Sequence, residues 1–135
     1  MGGTIRFNFP AAGNCATFNQ TIGQVIALPQ YAPGFGGFEW PWYMPMPDDY
    51  QLLVSRFPWQ ELRVFGENVD RFFPDVETLI RWIDQPCLVP FLPWVAPADR
   101  DTFRSEVIER MIQATRQPDG HCFETFRRVH LFSRK

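Results

Sequence analysis

Residues 122–133, CFETFRRVHLFS, carry the reading of the fold. In an extended chain Val129 and Leu131 fall on one side, and Phe126 and Phe132 on the other. A strand that is apolar on both faces belongs in the middle of its sheet. Two other segments offer themselves as neighbours. Residues 3–9 set Ile5, Phe7 and Phe9 against Thr4, Arg6 and Asn8, which predicts a strand with one buried face. Residues 60–66 repeat the pattern, with Leu62 and Val64 inward and Glu61 and Arg63 outward.

Helices fill the intervals. Asn14 reads as an N-cap, followed by an apolar line of Phe18, Ile22, Val25 and Ile26 that Gly23 weakens and Pro29 ends. Pro47, Asp48 and Asp49 open a second helix with Tyr50, Leu53, Val54 and Phe57 on one side, its acids favoured by the helix dipole. Asp75 caps a third, whose stripe is Val76, Leu79, Ile80 and Ile83, and Pro86 and Pro90 break it. The longest starts between Pro97 and Asp101, carries Phe103, Val107, Met111 and Ala114, and stops at Pro118-Asp119-Gly120. The order β-α-loop-α-β-α-α-β predicts an α/β domain with α+β character, spanning residues 1–135 as a single unit. Its expected centre is a small three-stranded mixed sheet with helices packed on it.

Two stretches fit neither regular structure. Residues 30–46, QYAPGFGGFEWPWYMPM, are too rich in Pro and Gly for a helix or strand, yet too apolar for a solvated linker. The hinge between the last two helices, from Arg81-Trp82-Ile83 to Pro90-Phe91-Leu92-Pro93-Trp94, looks like the wall of a cavity. The Gly34–Gly37 cluster follows no strand and opens no helix, so it is not a phosphate cradle.

Composition narrows the function classes. With 45% apolar and 16% aromatic residues the chain can bury a real core. A net charge of −2, with basic residues dispersed, argues against a nucleic-acid binder. No apolar run reaches the roughly 18 residues needed to span a bilayer, and no signal-peptide pattern opens the chain, so a soluble cytoplasmic protein with no membrane partner is expected. Three widely spaced Cys (15, 87 and 122) indicate neither a disulfide framework nor a zinc site, and no metal is expected.

No nucleophile–base pair stands out, and no catalytic residue is assigned. His121 and Cys122 are adjacent in a strand and point to opposite faces. His130 reads as a packed side chain. The candidate ligand contacts are aromatic and charged: Glu39 among Phe38, Trp40, Trp42 and Tyr43, and Arg81 beside Trp82 ahead of Phe91 and Trp94. A carboxylate in an aromatic nest either meets an arginine or is held protonated. An arginine beside a tryptophan can grip a carboxylate while the ring stacks on its body. A surface arginine beside a core tryptophan would look the same in sequence.

The final sixty residues resemble the end of class I S-adenosylmethionine-dependent methyltransferases, nearest the trans-aconitate methyltransferase type. The resemblance rests on Leu79-Ile80-Arg81-Trp82, Pro90-Phe91-Leu92, the helix from Asp99, Asp119-Gly120, and the closing run from Phe126 to Lys135. Gly2-Gly3-Thr4-Ile5-Arg6-Phe7 is similar to the turn and fifth strand of that fold. The chain then corresponds to the C-terminal half of a Rossmann-like methyltransferase, with its last strand inserted antiparallel between the fifth and sixth. The resemblance implies that residues 30–46 and 75–95 form the acceptor-side lid. No glycine-rich turn follows a strand here, so no cofactor is assigned and none of the family's donor-binding residues carries over. It further implies a domain without methyl transfer of its own, binding a small acidic or apolar ligand and homodimerising through an unpaired strand edge or apolar face. Two alternatives stay open: a fragment or subunit of an active methyltransferase acting on a small carboxylic acid, and a non-enzymatic interaction module.

Overall fold

The computed structural model describes residues 2–135, and its chain divides into two compact units. The first comprises residues up to 15, 42–70 and 125–135; the second comprises 16–41 and 71–124.

The first unit is built on β1 (Thr4–Pro10), α2 (Pro47–Val54), β2 (Glu61–Asn68) and β5 (Arg127–Arg134). The strand order is β1-β5-β2, so the last strand is central as its two-sided apolar pattern predicts. Both pairings are antiparallel, with Phe7 and Val64 flanking Leu131. The expected mixed sheet is therefore corrected to an antiparallel one, because β1 and β2 run in the same direction but never touch as neighbours. Val129, Leu131 and Ser133 are buried on one face, where α2 lies: Tyr50 meets the Phe9 ring at 4.9 Å. The cover is incomplete. Ile5 and Phe7, expected inside, are 43% and 42% exposed, and Leu53 and Phe57 also remain exposed. Helix α2 ends at Val54, before Phe57 can join its apolar face.

The second unit contains α1 (Ala16–Ile26), β3 (Arg71–Phe73), α3 (Val76–Trp82), α4 (Arg100–Thr115) and β4 (Cys122–Glu124), with short 3-10 turns at Ala32–Phe35, Leu92–Trp94 and Pro97–Asp99. β3 and β4 form a second, two-stranded sheet that the sequence reading did not contain. The single strand expected over 122–133 is thus two strands. They part at Thr125 and Phe126, whose backbone groups bond elsewhere: Phe126 N–H donates to Asp70 Oδ1 at 3.0 Å, and the Thr125 carbonyl accepts from Cys15 N at 2.7 Å. Cys15 is held there with φ 50°, a left-handed backbone uncommon outside glycine.

Helix starts draw on local chemistry in one case and on a distant residue in another. Asp75 caps α3 as expected, its Oδ1 accepting from Thr78 N at 2.7 Å, and that bond holds the Asp75 carboxyl below its ordinary pKa. Asn14 Oδ1 accepts from Arg127 N at 3.0 Å. The α1 N-terminus is served by Glu124, fully buried, whose two carboxylate oxygens accept from Thr17 N at 3.2 Å and Phe18 N at 2.9 Å. Pro86 does not break the chain after α3. A wide turn at Ile83–Cys87 carries the proline inside it, closed by Leu88 N donating to Ile83 O at 3.0 Å. On α4 the buried stripe is Phe103, Val107, Met111 and Thr115, with Ala114 exposed, since Thr115 and not Ala114 continues the four-residue step. Arg104 grips Asp84 through Nε and Nη2, both at 2.6 Å, and this pairing raises the arginine's pKa further.

Candidate functional site

In the second unit the aromatic residues of the hinge join a packed cluster centred on Phe91. The Phe91 ring is fully buried, 5.2 Å from Phe38, 5.7 Å from Trp40 and 6.2 Å from Phe18. Trp94 packs on Phe38 at 5.6 Å and keeps 38% of its surface exposed. Trp82 lies between Phe73, at 5.2 Å, and Phe18, at 6.1 Å. Two segments distant in sequence, 31–40 and 82–94, are thereby closed on each other. At Gly34 the approach is so close that a Cβ would stand 2.4 Å from the Trp94 carbonyl oxygen. Only glycine fits there.

The charged members of the expected site stand apart from this cluster. Glu39 is exposed, so its neighbours in sequence do not enclose it. Arg81 points to solvent and pairs with Glu77, one helical turn earlier, at 2.9 Å. Adjacent helical residues diverge by about 100°, which is why Trp82 turns inward while Arg81 does not. Trp42 and Tyr43 belong to the first unit, Trp42 half-buried and Tyr43 65% exposed. Burial, and then the nearby Tyr43, push the Tyr50 hydroxyl above its ordinary pKa.

Open grooves mark the first unit, and two of them involve its sheet. One, about 240 Å³, lies at the carboxyl ends of β1 and β2, with Ala12, Met46, Pro47, Gly66, Arg127 and Arg128 in its wall. A Cβ at Gly66 would sit 2.9 Å from Pro47 Cγ. Arg127 is paired with Asp70, and Arg128 Nε donates to Asn8 Oδ1 at 3.1 Å. Arg127 and Arg128 were not singled out from sequence, because a pair of arginines in a strand does not reveal what end of the sheet they will reach. The second groove, about 360 Å³, lies on the opposite face of the sheet from α2 and is lined by Arg6, Glu61, Arg63, Phe65, His130 and Phe132. His130 is on this open face: its Nε2 is 2.7 Å from Glu67 Oε2, and its ring stacks on Phe65 at 4.8 Å.

Among the described residues, no group of three or more His, Cys, Asp and Glu side chains is placed to hold a metal ion, and no helix is long and apolar enough to cross a membrane. No protein-family model matches the chain, and no curated protein matches it significantly.

Proposed function

We propose that this chain is a standalone methyltransferase-like domain, corresponding to the acceptor-side half of class I S-adenosylmethionine-dependent methyltransferases of the trans-aconitate methyltransferase type, and that it binds a small acidic or apolar ligand without binding the methyl donor. The observation that carries the reading is the strand order: β5 runs antiparallel between β1 and β2, which are parallel to one another. The resemblance implies this insertion of the last strand. The exposed apolar residues fit as well, since Ile5 and Phe7 lie on the outermost strand, beside an edge with no neighbour in this sheet. Such an edge favours pairing with a further strand. In a preparation of this chain alone, a second copy is the occupant proposed.

Calorimetry with S-adenosylmethionine is the direct test, and no saturable heat is expected. Binding in the micromolar range would overturn the reading. A screen of small carboxylic acids by NMR is expected to shift residues in 30–46 and 75–95; silence across both segments would remove the acceptor role. Methyl transfer restored by a separately supplied donor half, or an in-frame strand and glycine-rich turn encoded upstream of Met1, would favour the active-fragment alternative. Light scattering at micromolar concentration is expected to give the mass of a dimer, and a strictly monomeric mass would count against edge pairing.

A further inference from the structure

The face of the three-stranded sheet away from α2 carries an arrangement that the methyltransferase reading does not use. The register sets Arg6 of β1 and Arg63 of β2 on either side of Phe132 of β5. The next row sets Asn8 and Phe65 on either side of His130, with the Phe65 and His130 rings nearly parallel, 3° apart. The backbone positions of two arginines therefore flank one phenylalanine, two strand spacings or about 10 Å apart. A stacked pair of rings forms the adjoining floor. The groove between them holds about 360 Å³, the size of a small organic molecule. Phe65 is 53% exposed, so its ring is open to a molecule in the groove.

The charges are disposed for a single ion. Arg6 has no carboxylate within 4 Å among the described residues, so its fork is free to accept one. Arg63 is held at 2.7 Å by Glu61, an exposed pair that a competing anion can share. Glu61 and Glu67 bound the groove along β2, with Glu67 turned to His130. A run of phosphates along the strand would meet both acids. A molecule with one anionic group over the Arg6–Phe132–Arg63 row would stay clear of Glu67 and meet only Glu61, with which it would share Arg63, and its body could lie on Phe132 and Phe65.

We propose that this sheet face is a binding site for a small organic oxyanion carried on a flat ring, its carboxylate or phosphate gripped by Arg6 and Arg63 and its ring stacked on Phe132 and Phe65. The grip is by charge-assisted hydrogen bonds from the guanidinium groups, and the stacking is π contact between rings. The site is distinct from the aromatic cluster around Phe91.

The test is a titration of the full chain with 2-naphthoate and with 2-naphthyl phosphate, followed by amide shifts in NMR. Saturable shifts are expected at Arg6, Arg63, Phe65, His130 and Phe132, and the tighter of the two ligands names the preferred oxyanion. Arg6→Gln and Arg63→Gln should each weaken binding by about tenfold, while Arg116→Gln, at an exposed position in the other unit, should leave it unchanged. All three side chains are on the surface, so the variants should fold. The proposal is overturned if neither ligand shifts these residues, if Arg6→Gln binds as well as the parent, or if inorganic phosphate alone binds as tightly as the ring-bearing anion. Binding of a single-stranded oligonucleotide more than tenfold tighter than either ligand would replace it with a nucleic-acid surface.

Discussion

Phe91→Ala is expected to destabilise the protein by about 3–5 kcal/mol, and to lower its melting temperature by about 10 °C or more. The ring is fully buried and touches Phe18, Phe38 and Trp40, which come from α1 and from the 38–40 segment of the second unit. Removing it opens a cavity that these rings cannot close without leaving their present packing. The same substitution distinguishes a core residue from a ligand contact. If Phe91 met a ligand directly, its loss would weaken binding with little change in the unfolding midpoint. The expected outcome is the reverse: a large shift in the denaturant midpoint, and an effect on ligands only through the loss of structure. Trp94→Ala provides the contrast, because a ring that is 38% exposed has less transfer free energy to lose.

Glu124→Ala is expected to cost about 2–4 kcal/mol, the sum of a lost helix cap and buried donors left without an acceptor. Glu124 is fully buried, and its carboxylate is the acceptor for the first free N–H groups of α1. Partial positive charge at that helix end compensates a charge that would otherwise be costly to bury. Glu124→Gln keeps the shape and one acceptor oxygen, so it should lie between the parent and the alanine variant. Urea unfolding measures both, with the midpoint moving and the slope unchanged if the unfolding transition stays two-state. A midpoint for Glu124→Ala within error of the parent would mean that the helix end is satisfied by water instead.

These two residues also mark where sequence was sufficient and where it was not. The three long strands were readable because period-two alternation survives in any context, and β5 announced its central place by being apolar on both sides. The helices from Pro47, Asp75 and Arg100 declared their starts through proline, acidic or capping residues in the first turn. The start of α1 held a surprise: beyond Asn14, whose chemistry suits a cap, α1 uses an acceptor more than a hundred residues away, Glu124. No local rule sees that. The alternation in 122–133 hid the break at Thr125–Phe126, because it continues in sequence after the hydrogen bonding has changed partners. β3, three residues long, gives too short a pattern to register.

At the candidate site, aromatic density pointed to Phe91 and Trp94, which meet the 35–40 segment, and to Trp82, which packs on Phe18 and Phe73. It failed for Glu39 and Arg81, since neighbours along a chain are not neighbours around a helix or across a loop. The Arg6–Phe132–Arg63 row lay beyond reach for a related reason. It is a property of register between three strands, and only their pairing brings it together.

The wide turn at Ile83–Cys87 has a consequence for how the aromatic cluster is aimed. A five-residue hydrogen-bond step adds one residue to a helical path, so the chain leaves the turn about 100° out of phase with the helix that entered it. Cys87 and Leu88 can then both be buried in succession, and the Phe91 ring is carried round to the inside. Proline, which has no N–H to give, fits where the ordinary step is abandoned. The direction of the cluster's central ring is therefore set by backbone arithmetic several residues upstream, and the spacing between Ile83 and Phe91 is as much a part of the site as the side chains themselves.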